Sequence, residues 1–323
     1  MPLKPLVSVL MPVFNGELYL SDALNSILNQ SYSDFELILI DDCSTDKTSE
    51  ILHNFVQMDK RIKVFRQHSN LGLTKSLNSG LAKCRGEFIA RHDADDLSEP
   101  ERFACQIAFL RDHPDYGLIG TAVSRIDSKG NIIDQPIVIN GVKGIRAIIK
   151  GLNPFVHGSI MMRKSTVDTV NGYRSGFRYA QDYDLWLRIS EITFVDNLPE
   201  RLYRWRVHSA GISKKKLPIQ VKYAALASYF AKERQKKDED SYRILKNDFN
   251  GNINSFLEKE DIKEEINSLI GRILFIYGER EGAYNSFLSA HGIKSKFYSL
   301  VCSNNLTFEW SRSVARFIVC RFK

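Results

Sequence analysis

No unbroken apolar run in the 323 residues reaches the roughly 18 positions of a membrane-crossing helix, so a soluble or peripheral protein is expected. Internal repeats and low-complexity tracts are also missing, and prolines number only 9, which sets aside solenoid, fibrous and disordered classes. The 5 cysteines, at positions 43, 84, 105, 302 and 320, form no C-x-x-C pair, and their odd number opposes a complete disulfide framework. Cys84 and Cys105 fall at apolar helix positions, where a thiol serves as a small hydrophobe. These features predict a reducing, cytoplasmic compartment. The opening MPLKPLVSVLMPVF lacks the polar break and cleavage site of a secretory signal, and Pro12 interrupts its apolar stretch, so it reads as a first core strand. Acidic excess is absent too: 45 Lys and Arg against 38 Asp and Glu leave a formal charge of +7. That balance is compatible with nucleotides, anionic lipids or nucleic acid and chooses none of them.

What is present is an ordinary globular core, 43% hydrophobic, arranged in a recognisable order. Continuous apolar runs at 6–14, 35–40, 62–66 and 87–91 read as parallel strands covered on both faces. Helical patterns lie between them: Ile51, Leu52, Phe55 and Val56 share one face, as do Leu77, Leu81 and Cys84. Alternating strands and helices predict an α/β sheet wound by right-handed crossovers, with ligands outside the carboxyl ends of the strands. Polar residues gather at those ends: Asn15, then Asp41 and Asp42, then Asp93, Asp95 and Asp96. Ser98 with Glu101 reads as a capping box opening a helix to about Asp112, with Phe103, Ile107 and Leu110 inward. YGLIGTAVSRID, SKGN and IIDQPIVI read as a hairpin, and VHGSIMMR and RLYRWRVH as later strands. Beyond KKK at 214–216 the chain turns helical. The expected division is a catalytic domain over residues 1–215 and a helical region over 216–323.

ARHDADDLSEPER places three carboxylates within four positions. Two unit charges about 4 Å apart repel by about 1 kcal/mol in water and roughly 4 kcal/mol near a protein surface. In an extended segment Asp93 and Asp95 project to one face, which suits a hard divalent cation that takes its other ligands from water and substrate phosphates. The plainer alternative, acidic residues beginning a helix, accounts for Asp96 but gives no reason for Asp93 at a strand end. Arg91 shares the face of Asp93, as a phosphate contact, a solvated arginine or an internal ion pair.

VSVLMPVFNGELYL, ELILIDDCSTDKT, NLGLTKSLNSGLAKCRGEFIARHDADD, NPFVHGSIMMRK, GYR, AQDYDLWLRI and LYRWRVH, in that order, resemble the family 2 glycosyltransferases. The resemblance covers about residues 5–210, roughly two thirds of the chain. It implies the GT-A fold, a doubly wound, Rossmann-like and mostly parallel sheet. By the resemblance, Pro12, Val13, Asn15 and Glu17 line the nucleotide pocket and Asp42 bonds the uracil ring, with Asp41 a weaker candidate. Asn70 and Gly72 match the family's N-x-G helix entry. Asp93 and Asp95 match the D-x-D pair that meets the donor's ribose and, through Mn²⁺ or Mg²⁺, its diphosphate. Where many relatives read D-D-G-S this chain has Cys43, which resists the positive φ that glycine permits.

The resemblance makes Asp182 the base that takes the acceptor's proton, in a motif more often read E-D, with Gln181 here in place of the acid. An aspartate before an apolar helix is also a preferred N-cap, and Asp184 is the fallback. His208 matches a late histidine near the metal or diphosphate, and His157 an acceptor-side segment. Tyr183 and Trp186 are expected to pack the helix in preference to stacking on sugar. FEWSRSVARFIVCRFK, at the end of the chain, either lies at an anionic membrane surface or packs on its own domain.

The expectation is therefore an inverting, metal-dependent enzyme moving sugar from a nucleotide-sugar, UDP-linked, to a saccharide hydroxyl. The acceptor the family implies is linked to undecaprenyl diphosphate, in surface polysaccharide assembly at the inner face of the cell membrane. Two other readings use the same features. A nucleotidyltransferase also employs paired aspartates with metal, but VFNGEL offers no phosphate-binding loop. A basic membrane or nucleic-acid binder would use KKK, KERQKK and the final arginines, yet RNA-stacking motifs are absent there, so no nucleic-acid partner is expected.

Overall fold

The computed structural model describes residues 5–208, 216–237, 239–247, 252–277, and 281, 283, 285 and 286. In chain order its first half runs β1 (Val7–Val13), α1 (Leu20–Leu28), β2 (Phe35–Asp41), α2 (Thr48–Met58), β3 (Ile62–Arg66), α3 (Leu73–Leu81), β4 (Phe88–Arg91), β5 (Leu97–Ser98) and α4 (Arg102–Asp112). There follow β6 (Tyr116–Ile126), β7 (Ile132–Asp134), α5 (Val142–Ile148), β8 (Met161–Arg163), α6 (Lys164–Thr169), α7 (Gln181–Ile192) and β9 (Phe194–Arg206). The remaining helices are α8 (Leu217–Lys237), α9 (Tyr242–Asn247), α10 (Ile253–Leu257) and α11 (Glu260–Tyr277).

Contacts divide the chain into two units. The first comprises Met1–Val142, Phe155–Arg178 and Ile189–Gly211; the second comprises Lys143–Pro154, Tyr179–Arg188 and Ile212–Lys323. All nine described strands belong to the first unit, in the order β3-β2-β1-β4-β8-β6-β9-β5, with β7 paired to β6. β3, β2, β1 and β4 run parallel, whereas β8 is antiparallel to β4 and to β6. Every residue of β1 and β2 is buried, as the unbroken apolar runs require of strands covered on both faces. β1 pairs with β4 only as far as Leu10 and Arg91, so Pro12 sits where β2 is its one strand neighbour and a missing N–H is tolerated.

Two sequence expectations are corrected here. Ser98 does not cap a helix: it lies in β5, its N–H donates to Ser26 Oγ, and α4 begins after Glu101. Arg102 claims its hydroxyl instead, donating from Nη1 at 2.9 Å. The core face of α4 is as expected, with Phe103, Ile107 and Leu110 buried. VHGSIMMR is strand only from Met161, because His157–Ser159 form a 3-10 turn.

In the second unit Val221, Ala225, Leu269 and Ile273 form a small core between α8 and α11. No described helix is long and apolar enough to cross a membrane. The arginine-rich segment at 308–323 lies outside the described residues.

Candidate active site

The carboxyl ends of β1, β2 and β4 are neighbours, since β1 pairs with both of the others. At the first, the chain turns with Asn15 at φ 51°, a left-handed conformation asparagine tolerates better than most residues. Pro12 and Val13 are buried in the strand, while Phe14 projects half exposed from its end. Asn15 and Glu17 lock this turn to the one after β2. Asn15 Oδ1 accepts from Thr45 N at 2.9 Å, its own N–H donates to Ser44 Oγ at 3.0 Å, and Glu17 Oε2 accepts from Lys47 N at 3.1 Å. The predicted pocket residues thus include two whose side chains first build the loop.

Asp41 and Asp42 are both buried and both hydrogen bonded. Asp41 accepts from Ser44 N at 2.8 Å and Ser49 Oγ at 3.2 Å. Asp42 accepts from the N–H groups of Leu71 and Gly72, at 2.9 and 2.8 Å, tying the entry of α3 to the end of β2. A carboxylate has about four lone-pair sites, so these two bonds leave Asp42 acceptor capacity for an imide N–H. Asn70 is exposed just before that anchored pair. Cys43 adopts φ 66°, so the turn keeps the geometry of a glycine despite the substitution, with strain on the order of 1 kcal/mol.

After β4 the carboxylates are crowded. Arg91 is 1% exposed and its Nη1 lies 2.5 Å from Asp93 Oδ1, an ion pair without hydrogen-bond alignment at that nitrogen. The internal-pair alternative for Arg91 is therefore the observed one. Asp95 Oδ2 is 2.9 Å from His208 Nε2, which brings together residues 113 apart in sequence. Asp96 is buried and accepts from Tyr203 Oη at 2.8 Å and from Arg206 N at 2.7 Å. Burial raises the Asp93 carboxyl; Arg91 opposes this, and Asp95 adds to it. Asp96 is pushed well above the usual carboxylate range by burial, then by Asp93 and Asp95.

Residues that pattern reading did not single out hold this loop. Arg206 Nε donates to Asp95 O at 2.7 Å, Nη1 reaches the carbonyls of Asp127 and Ser128, and its guanidinium lies over the Tyr19 ring. Tyr19 in turn faces His208, the ring centres 5.3 Å apart. Tyr203 Oη accepts from Asp93 N at 3.2 Å. Arg102 Nη2 donates to the carbonyls of Arg91 and Ile160. Gly158 approaches so closely that a Cβ there would stand 1.9 Å from Tyr203 Oη and 2.9 Å from Asp93 Oδ2. The strand pattern of RLYRWRVH places Tyr203 and Arg206 on β9, but only the pairing of β9 with β5, Ser98 opposite Tyr203, brings that strand beside the loop.

Asp95 offers a carboxylate of the kind Mn²⁺ or Mg²⁺ takes, with the His208 imidazole beside it as a ligand better matched to Mn²⁺ than to Mg²⁺, and a cation would answer the repulsion around Asp93 and Asp96. Among the described residues no cluster of three His, Cys, Asp or Glu side chains is arranged to hold an ion unaided. The remaining ligands would come from water and phosphate, as the sequence pattern anticipates.

His157 lies in the first unit, its Nε2 2.9 Å from Tyr173 Oη, and burial depresses its basicity. Asp182 lies in the second unit, in the first turn of α7, and its Oδ2 accepts from Asn153 Nδ2 at 3.0 Å. Asp184, the fallback base, is fully buried and gripped by Arg188 through Nε at 3.0 Å and Nη2 at 2.8 Å, which removes it from contention. Trp186 and Tyr183 are buried packing residues, as expected.

Comparison with known proteins shows the family and the fold. Residues 8–170 match the model of glycosyl transferase family 2. The chain is 40% identical over 226 residues to the putative glycosyltransferase EpsE of Bacillus subtilis (strain 168), covering 69% of this chain and 80% of that protein. It is 35% identical over 238 residues to the O-antigen biosynthesis glycosyltransferase WbnJ of Escherichia coli, covering 72% and 90%. S. aureus TarS in complex with UDP-GlcNAc matches with a TM-score of 0.59 at 18% identity, over 96% of this chain and 92% of that one. The mannosyltransferase PcManGT from Pyrobaculum calidifontis, in complex with GDP-Man and Mn²⁺, matches at 0.57 and 15% identity, over 98% and 86%. These likenesses to solved structures show the fold, an α/β mixed and mostly parallel sheet of GT-A type with C-terminal helices. The ordered strand-end motifs, the shared fold and the extent of the matches make this chain a member of glycosyltransferase family 2.

Proposed function

We propose that the protein is an inverting, metal-dependent transferase that moves a sugar from a UDP-linked donor to a hydroxyl of a saccharide acceptor. The observation that carries the reading is the Asp95–His208 contact, beside two carboxyls whose burial and mutual repulsion favour protons or a cation. A bound Mn²⁺ or Mg²⁺ would neutralise the charge developing on the departing diphosphate. Asp95 and His208 would hold it, and Asp93, turned by Arg91, would meet the ribose. Asp42 would accept the uracil imide N–H while keeping its two backbone bonds, and the exposed ring of Phe14 at the end of β1 offers a face to the base. Asn70 and Arg91 complete the proposed donor side, Arg91 acting through its pair with Asp93. Asp182 would take the acceptor hydroxyl's proton as that oxygen attacks the anomeric carbon from the face opposite the leaving diphosphate, which inverts the centre.

UDP is favoured by the UDP-GlcNAc complex of TarS, and a divalent ion by the Mn²⁺ complex of PcManGT. A role in surface polysaccharide assembly is supported by the O-antigen relative, and the acceptor proposed for it is a lipid-linked saccharide at the inner face of the membrane. The test is release of UDP from UDP-glucose, UDP-galactose and UDP-N-acetylglucosamine with Mn²⁺ or Mg²⁺, then a panel of lipid-linked saccharides. Release of pyrophosphate in place of UDP, or full activity in EDTA, would overturn the proposal.

A further inference from the structure

We propose that Asn153 is a positioning residue for the base, an inference that rests on the reading of Asp182 above. Asn153 donates from Nδ2 to Asp182 Oδ2 at 3.0 Å, and both residues are partly buried. Each lies within the second unit, on a segment fixed independently of that bond. Ile149 N donates to Ile145 O, and Gly151 and Leu152 N–H groups both close on Ile148 O, so α5 ends in a tight turn. Tyr183, next to Asp182, reaches the same segment: its Oη donates to Ile149 O at 2.7 Å and contacts Ser228 Oγ at 3.1 Å. Adjacent residues of α7 thus hold one stretch at two points, one through a buried phenol and the other through the proposed base itself.

The residue type matters. A side-chain amide nitrogen donates but takes up no proton near neutrality, so it fixes the plane of the carboxylate and favours its ionised form. The charged groups nearest on the same helix, Asp184 and Arg188, are paired with each other, and Lys150 on the facing segment is exposed. The helix begins immediately after Ala180, which holds φ 49°. Such a conformation in a residue with a Cβ persists only where its surroundings hold it, and it commits the first turn of α7 to one direction.

The experiment uses the full chain, Mn²⁺ and the fastest UDP-sugar of the panel above, following UDP release against pH for wild type, Asn153→Ala, Asn153→Asp and Asp182→Asn. Asn153→Ala is expected to lower kcat by about 10- to 100-fold while donor KM stays within about 2-fold, because orientation of the base, not donor binding, is lost. The acid limb of its kcat profile is expected to move to higher pH, since a donor favouring the carboxylate is gone. Asn153→Asp, nearly identical in shape, is expected to move that limb further by placing a second negative charge beside the base, and it serves if the alanine variant folds poorly. Unchanged kcat and an unshifted acid limb in Asn153→Ala and Asn153→Asp, with Asp182→Asn inactive, would overturn the positioning role and leave the base in place. An active Asp182→Asn would instead remove the base on which the inference rests.

Discussion

The carboxylates after β2 and those after β4 look alike in sequence and are opposite in circumstance. Asp41 and Asp42 are met by N–H and O–H donors on both oxygens, so their charge is absorbed into the turn that carries them. Asp93, Asp95 and Asp96 also face one another, and burial with mutual repulsion raises the Asp93 and Asp96 carboxyls. The first pair is architecture that retains acceptor capacity. The second is a crowded loop held by Arg206, Tyr203, Gly158 and Arg102, with Arg91 paired to Asp93 while the Asp93 and Asp96 carboxyls stay raised. The proposed cation belongs with the second, where the carboxylates still raise one another despite the Arg91–Asp93 pair.

The sharpest way to break this contrast is to remove a ligand. Asp95→Ala is expected to lower Mn²⁺-supported UDP release by about 10³-fold or more, on the order of 4 kcal/mol of transition-state stabilisation, while circular dichroism stays native. Chelation by EDTA should match it in wild type, with activity restored by added Mn²⁺. Activity in the variant near wild type would mean that the crowded loop holds no catalytic ion.

The second test leaves every carboxylate in place and shifts the walls. In Gly158→Ala the added methyl would meet Tyr203 Oη and Asp93 Oδ2, both tied into the loop, so it cannot be accommodated by a free side-chain end. A fall of about 10²-fold in turnover is expected, with a stability loss of about 1–3 kcal/mol measured by urea unfolding. An equal substitution at Gly130, where nothing lies within 4 Å, meets no neighbour; its φ of +90° still strains the turn, so only stability should respond there.

Much of this was open to pattern reading, and the reasons for the remainder are physical. β1 to β4 are legible because strands covered on both faces write themselves as continuous apolar runs, and the interest of the strand ends follows from the general placement of ligands at the carboxyl edges of such sheets. Asp93, Asp95 and Asp182 are singled out as candidates by their ordered resemblance to the family, and Asp93 and Asp95 do fall together in the loop after β4. Tyr203 and Arg206 are not, because their importance depends on β9 pairing with β5, a register that no local periodicity records. Ser98 misleads for a related reason: its capping pattern is sound locally, but a buried arginine one turn on claims the hydroxyl. The left-handed Cys43 shows the converse, a tertiary demand for one backbone geometry overriding residue preference.

A carboxylate far from the site calibrates what being answered is worth. Glu36, second residue of β2, is buried, and burial alone would raise it. Hydrogen bonds from Lys63, Arg85 N, Ser8 and the Arg85 guanidinium outweigh that and hold it at about 2, against 4.5. Because the folded value is the lower one, its contribution is fully present above about pH 4.5 and is lost as pH falls toward about 2. Its partners are partly solvated, so the contribution is on the order of 2 kcal/mol. Urea unfolding of Glu36→Gln should show a deficit of about that size at pH 7 which shrinks by pH 3, with turnover at pH 7 unchanged. A deficit independent of pH would assign the stabilisation to packing.

The smallest effect is the most discriminating, since it concerns a sign. Asp95→Asn removes one charge from the crowded loop, and the side chain of Asp95 is exposed enough that its contact with His208 returns little when lost. Without metal, relief of repulsion on Asp93 and Asp96 should therefore dominate, and the variant is expected to melt higher than wild type by an amount equivalent to about 0.5–1 kcal/mol. Asp42→Asn does the reverse. One acceptor becomes an NH₂ facing the N–H of Leu71 or Gly72, leaving a buried donor without a partner at a cost of about 1–2 kcal/mol, so it should melt lower. Opposite shifts in metal-free thermal melts would establish that one acidic turn is satisfied and the other is held ready for a cation; shifts of the same sign would mean that the loop after β4 is answered within the fold as fully as the turn after β2.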